Sequence, residues 1–300
     1  MALPQFIPPM LAKSGQAFDS PDHLFEIKWD GTRCLCFVEN GIHRLVNRRQ
    51  ADLTSRYPEF SSLGTLPSGT VLDGEMVVLR DGKPDFALLQ SREQSRSPIK
   101  IRTLARSTPA TYVVFDLLFE QGQQLLDAPL RDRRERLEKL LKRHALAHVM
   151  LSEGMIGSGV ELFRQTTAMD LEGILAKRLN SRYLPGRRTD AWIKIKKGIE
   201  LLCVVIGFEA SGPDDFRNLI LAQERDGQLR GVGKVGTGFE ATVRKKLNVW
   251  LWTHLRPTPV IKCRHKGKWV EPQLFCRVTC MELTPGGEMR APVFHELIKG

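Results

Sequence analysis

Lys28 lies in the octapeptide Glu26-Ile27-Lys28-Trp29-Asp30-Gly31-Thr32-Arg33, where a β-rich run ends and the chain turns. A lysine held among other cations gives up its proton more readily and can then act as a nucleophile. Gly31 lets backbone approach a ligand closely. Alone, the octapeptide describes a solvated turn lysine equally well. It is followed, in order, by Asn47-Arg48-Arg49, Asp73-Gly74-Glu75, Phe115-Asp116, Glu172-Gly173-Ile174-Leu175-Ala176-Lys177 and Trp192-Ile193-Lys194-Ile195-Lys196. On a strand Lys194 and Lys196 share one face, which packs poorly but clamps phosphate well. Glu75 and Glu172 are each expected at a strand edge beside a glycine, where a carboxylate can meet a ribose hydroxyl or a hard metal ion. Phe115 offers either a ring face for a base or an ordinary core side chain.

The chain that must position these groups has 300 residues, with 42% hydrophobic and 26% charged. That composition excludes a disordered tail, a collagen-like repeat and a disulfide miniprotein. Six cysteines do not suggest a disulfide framework at this length and fit a reducing, cytoplasmic setting. The longest apolar run, residues 201–208, falls far short of the roughly 20 residues of a spanning helix and reads as a buried strand. No leader is visible in the first fourteen residues, and no membrane partner is expected. The net charge of +11 favours a polyanionic partner.

Short strands are expected at 24–27, 34–38, 71–72, 76–79, 112–115, 174–177 and 192–195. A helix is expected from Pro129 to His148, capped by Asp127, with Leu130, Leu137, Leu140 and Leu141 inward and an arginine-rich outer face. Composition shifts near Lys197-Gly198-Ile199, which places a boundary between 1–198 and 199–300. The second part combines short strands with one helix, about 241–255, and Asp226-Gly227 is a hairpin signal. That pattern suits a small OB-type β-barrel. Residues 200–300 carry 15 basic and 11 acidic groups, leaving 30 and 23 for the rest, so both parts could line one polyanion.

The ordered series Lys28-x-Asp30-Gly31, Asn47-Arg48, Asp73-Gly74-Glu75, Phe115-Asp116, Glu172-Gly173 and Lys194-x-Lys196 resembles that of the covalent nucleotidyltransferases, the ATP-dependent polynucleotide ligases and mRNA capping enzymes. Tyr183 to Arg188, Gly233 to Phe239 and Glu282 to Phe294 resemble the bacterial ligase D and ligase C group. The resemblance implies an α+β fold: an adenylation domain of mixed and antiparallel sheets with helices, then a C-terminal OB-fold barrel. It implies an ATP-dependent DNA ligase that seals nicks in duplex DNA for repair or end joining. Lys28 would become lysyl-AMP. Glu26 and Ile27 would border the adenine, with Phe115 stacked on it, and Arg33 and Glu75 would hold the ribose. Arg48 would contact phosphate, Glu172 would help bind Mg²⁺ or Mn²⁺, and Lys177, Lys194 and Lys196 would neutralise the α-phosphate. A monomer in the bacterial nucleoid, working with a Ku-type end-binding protein and a separate repair polymerase, completes the expectation. The alternatives are an RNA ligase or capping-type enzyme, and a degenerate ligase that only binds DNA ends.

Four features depart from the pattern or imitate others. The family's terminal Arg-x-Asp-Lys is replaced by Ile298-Lys299-Gly300, which suggests slow self-adenylation. Asn47 and Gln50 stand where the family prefers Ser and Gly. Gly231-x-Gly233-x-x-Gly236 matches a dinucleotide-binding pattern but follows a hairpin, so a glycine-rich turn is expected. Cys263, His265, Cys276 and Cys280 superficially form a zinc set, but strand packing explains the last two more simply.

Overall fold

The computed structural model describes residues 3–212 and 214–298. Two compact units emerge, Met1–Lys196 and Lys197–Gly300.

Two sheets build the first unit. One runs in the order β1 (Leu11–Ser14), β12 (Arg188–Lys196), β11 (Gly173–Arg178), β2 (Ser20–Ile27), β10 (Gly154–Gly157). Its pairs are antiparallel except β1 with β12. The other runs β4 (Ile42–Asn47), β3 (Thr32–Glu39), β5 (Thr70–Arg80), β7 (Ala110–Glu120), β8 (Gln123–Gln124). To it are added β6 (Lys83–Pro84) on β5 and β9 (Val149–Leu151) parallel to β7. The helices are α1 (Phe86–Gln94), α2 (Pro98–Ser107), α3 (Leu130–Arg143) and α4 (Gly159–Ala168).

The two-residue period of β3 divides the core. Cys34, Cys36 and Val38 pack with Leu72, Tyr112, Leu137 and Leu140 on one face. Leu35 and Phe37 pack with Phe115, Tyr183 and Trp192 on the other. Phe115 on β7 and Trp192 on β12 thereby join the two sheets, their ring centroids 6.1 Å apart in a T-shaped contact.

The structure corrects three expectations here. The strands expected at 71–72 and 76–79 are one, β5, so Glu75 sits mid-strand rather than at a strand edge. The register against β7 shifts between Asp73 and Gly74, a bulge that re-aims the next side chain. A Cβ on Gly74 would lie 2.6 Å from the Tyr112 ring, so only glycine leaves that ring its place. Helix α3 starts at Leu130 with no side-chain cap from Asp127 and ends at Arg143. Its arginines are not simply a solvated face either, since Arg133 and Arg134 are buried. The sequence reading did not identify α1 or α2.

In the second unit β13 (Ile199–Ala210) pairs on one side with β14 (Phe216–Arg225), which pairs with β15 (Gln228–Val235). On its other side β13 meets β18 (Phe275–Cys280) along its first half and β17 (Lys268–Val270) further on. The sheet is curled, continuing through β16 (Leu255–Arg256) and β21 (Val293–Ile298), with α5 (Ala241–Thr253) and the small pair β19 (Glu282–Leu283), β20 (Met289–Arg290). Asp226 and Gly227 turn the β14–β15 hairpin with φ of 53° and 72°, the double positive φ of a type I′ turn. The glycine-rich stretch 231–236 lies on and just past β15, and does not open a helix. Cys276 and Cys280 face the core with Cys203, and their thiols are pushed up by burial. Ile298 ends β21, and Lys299 lies outside the described residues. Among the described residues no helix is long and apolar enough to cross a membrane.

Candidate active site

Strand β2 ends at Ile27, and Lys28 follows it with its backbone N–H bonded to the Gly173 carbonyl at 2.9 Å. That bond brings Glu172, the residue before β11, beside the lysine. Gly173 has φ +140°, and a Cβ there would lie 2.1 Å from the Ile195 carbonyl oxygen, so the approach requires glycine. Lys28 Nζ donates to one Glu172 oxygen and Lys196 Nζ is 2.5 Å from the other. Burial raises the Glu172 carboxyl, but the two ammonium groups outweigh it and hold it below the usual carboxylate range. Partial burial and the Glu172 charge push the neighbouring Asp30 carboxyl upward.

Beside this cluster opens a cavity of about 200 Å³. Glu26, Ile27, Lys28, Arg33, Arg48, Glu75, Phe115 and Lys194 all line it. Arg33 makes two hydrogen bonds to Asp73, at 2.5 and 2.6 Å, and the Asp73 carboxylate also accepts the Tyr183 hydroxyl at 2.7 Å. The Tyr183 oxygen in turn accepts the Met10 N–H at 3.0 Å. Arg48 is on the exposed turn after β4. Asn47 shapes that turn by accepting the backbone N–H groups of Arg49 and Ala51 at 2.9 and 3.0 Å. Gln50 adopts φ +64°, a conformation that explains why glycine is favoured there.

Lys177 does not face this cavity, contrary to the expectation that it meets phosphate. It is fully buried and ion-paired with Glu26. Its ammonium lies 4.0 Å from the Phe115 ring centroid and 4.6 Å from that of Trp192. The other Glu26 oxygen is 3.1 Å from Arg134. A strand lysine pairing with a strand glutamate across β2 and β11 explains the burial, because each charge is tolerable inside only with its partner. The Phe115 ring is also less open than a stacking platform requires. It is 3% exposed, and the Arg33 guanidinium carbon lies 4.4 Å from its centroid.

Sequence reasoning gave no role to Asp73, Tyr183 or Arg134, nor to Leu175 and Arg188, which also line the cavity. Asp73, Leu175, Tyr183 and Arg188 stood inside the motifs without a role. Arg134 gave only the signal of an arginine-rich helix.

Burial pushes the Glu75 carboxyl up to about 7, against the opposing pull of Arg33 and Lys28. An acid whose folded pKa is raised binds its proton more tightly when folded, so its contribution to stability falls as pH rises from about 4.5 to about 7. Glu75→Gln removes that penalty. Its melting temperature relative to wild type should therefore climb across that window and level off above it, with a gain of at most about 3 kcal/mol. A difference that is flat between pH 4 and 8 in thermal melts would refute the raised pKa.

Residues 9–196 match the family model described as "ATP dependent DNA ligase domain", and residues 213–299 match "ATP dependent DNA ligase C terminal region". The chain is 33% identical over 309 residues to the multifunctional non-homologous end joining protein LigD of Pseudomonas aeruginosa, covering 98% of this chain and 36% of that protein. It is 32% identical over 281 residues to DNA ligase C of Mycobacterium tuberculosis, covering 90% of this chain and 76% of that one. The crystal structure of the ligase domain from M. tuberculosis LigD superposes with a TM-score of 0.62 at 31% identity, covering 97% of this chain and 95% of that one. The chain thus spans little more than a third of the LigD relatives it matches and most of the solved ligase domain. From the lysine–carboxylate cluster and its cavity to these matches over both units, the chain belongs to the ATP-dependent DNA ligase family.

Proposed function

We propose that this chain seals nicks in duplex DNA, using ATP and a lysyl-AMP intermediate on Lys28. The convergence of Lys28, Glu172 and Lys196, with Lys28 also lining the cavity, carries the reading. The first part, near 1–198, would be the adenylation domain and the second, near 199–300, an OB-type barrel. The cavity of about 200 Å³ is small beside the roughly 300–1,000 Å³ of ordinary ligand pockets, so it suits a base and sugar with phosphates outside.

In the first step Lys28 Nζ attacks the α-phosphorus of ATP. A P–N bond forms, the bond to the bridging oxygen breaks, and pyrophosphate leaves. Lys28 must first be neutral; its proton passes to solvent, and the cations Lys194 and Arg33 that line the same cavity favour that loss. Lys194 and Lys196 supply positive charge for the phosphoryl oxygens. In the second step the AMP phosphorus passes from Lys28 to the 5′-phosphate oxygen at the nick, freeing the lysine. In the third step the 3′-hydroxyl attacks that activated phosphate and AMP departs. Each step works on a phosphate centre, so one cationic site serves all three.

The donor set fits a divalent metal. Glu172 and Asp30 are neighbouring carboxylates, and Asp30 is raised in part by their repulsion. Among the described residues no group of three or more His, Cys, Asp or Glu side chains forms, so phosphate oxygens and water would complete the shell, as is usual for Mg²⁺. Glu172 and Asp30 would hold the ion, and its charge would offset that on the phosphoryl oxygens.

The test is a labelling experiment with α-labelled ATP and Mg²⁺ or Mn²⁺, chased with a nicked duplex. Label should enter the protein, leave it on the chase, and accompany sealing of DNA. Preference for GTP or for RNA nicks would favour an RNA ligase or capping-type enzyme. Salt-sensitive DNA binding with no labelled lysine would indicate a degenerate end-binding protein. The site works on nicked DNA in this proposal, within the nucleoid and alongside a Ku-type protein and a repair polymerase.

A further inference from the structure

Two helices of the first unit are rich in arginine, and their charges are treated differently. On α3 most of the cations are paired, Lys142 and Arg143 in the last turn excepted. Arg133 donates to Asp116 at 2.7 and 2.9 Å, Arg134 lies against Glu26, Arg136 meets Glu120 at 3.0 Å and Lys139 meets Glu135 at 2.5 Å. On α2 they are not. Residues 94–115 contain Arg96, Lys100, Arg102 and Arg106 and no carboxylate. All four are exposed, and among the described residues none has an ion-pair partner.

Arg102 and Arg106 are one helical turn apart and line a shallow concavity with Thr103 and the exposed Ile99. Like charges four residues apart destabilise a helix by a few tenths of a kcal/mol, so the pattern does nothing for the fold. The helix is nevertheless firmly mounted. Buried Arg92 on α1 donates to the carbonyls of Leu104 and Thr108 at 3.2 and 2.6 Å, and to Glu59 at 2.7 Å beneath. Ser97 caps its other end by accepting the Lys100 N–H. A rigid, uncompensated row of guanidinium groups matches a regular row of phosphates.

Position agrees with charge. Strand β7 begins at Ala110, just after α2, and reaches the cavity at Phe115. Five residues of strand span about 17 Å, equal to about five base-pair steps of a duplex.

We infer that the outer face of α2 grips the phosphate backbone of duplex DNA to one side of the nick. The inference rests on the proposed ligase reading and adds a docking surface to it. The experiment measures binding of a nicked duplex between 50 and 200 mM salt for wild type, Arg102→Ala/Arg106→Ala, and the control Arg131→Ala/Lys139→Ala, whose cations are already paired. The slope of log K against log salt should fall in magnitude by about 2 for the α2 variant, 0.9 for each lost phosphate, and stay unchanged for the control. Labelling of Lys28 by ATP should be the same in all three. Equal slopes for wild type and the α2 variant would overturn the inference while leaving the ligase reading intact. Equal losses in both variants would overturn it too, by showing that the charge acts diffusely. If wild type itself neither binds nor seals the duplex, the ligase reading fails first.

Discussion

Lys28→Ala should abolish labelling by ATP and sealing of nicks, lowering both by about 10⁴-fold or more, as removal of a covalent nucleophile does elsewhere. Binding of nicked DNA should hardly change, because one ammonium among many cations is lost. The protein should also stay folded. Glu172 keeps Lys196 as partner at 2.5 Å, so no carboxylate is left alone. Lys28→Arg sharpens the result. The guanidinium preserves the charge opposite Glu172 but stays protonated and is no nucleophile. Two inactive variants, one with and one without the charge, would separate nucleophilic from electrostatic roles. Labelling retained by either, read by gel and by mass of the modified peptide, would remove Lys28 from the mechanism.

Lys177→Met should destabilise the protein by about 3–5 kcal/mol, because it leaves Glu26 buried with only part of its compensation. For a unit of this size that is a fall in melting temperature of roughly 6–20 °C. The double variant Glu26→Gln/Lys177→Met should recover only part of the loss, since the Glu26 carboxylate no longer lies unbalanced inside but Arg134 is then left without a carboxylate. Arg134 would still bond the Ser152 carbonyl at 2.8 Å. A lysine that served phosphate would behave otherwise. Its removal would slow adenylation with no change in melting, and the double variant would be no more stable than the single. Calorimetric melts of the three proteins decide between these roles.

That lysine shows where the sequence was informative and where it was not. The order of short motifs placed Lys28, Arg33, Arg48, Glu75, Phe115 and Lys194 around one cavity because each motif sits at or near a strand segment facing it. Spacing along a strand says which face a residue takes, yet not what lies beyond that face. Lys177 alternates correctly on β11, but Phe115 and Trp192 close over it. Glu75 was read at a strand edge because it stands beside a glycine between two short apolar runs. The bulge at Gly74 keeps the strand going instead. The hairpin at Asp226-Gly227 was legible because its turn chemistry is local. Helices α1 and α2 were not, since they hold their place through Arg92, whose partners are 12 to 36 residues away. Arg133 and Arg134 misled for the same reason, as their carboxylates lie on other elements.

The parallel pairing of β1 with β12 aligns Leu11 with Arg188. Together with the Met10–Tyr183–Asp73–Arg33 chain of hydrogen bonds, it closes the cavity with residues from both ends of the first unit. Such long-range pairing slows folding, because loop closure precedes any gain from contact. At 5–20 residues per second, synthesis takes roughly 10–40 s to pass from β1 to β12. Until then the emerging strand β1 has no mate, and its edge is open to any other strand nearby. The cavity is therefore a late product of biogenesis: it is complete only when the whole unit has left the ribosome.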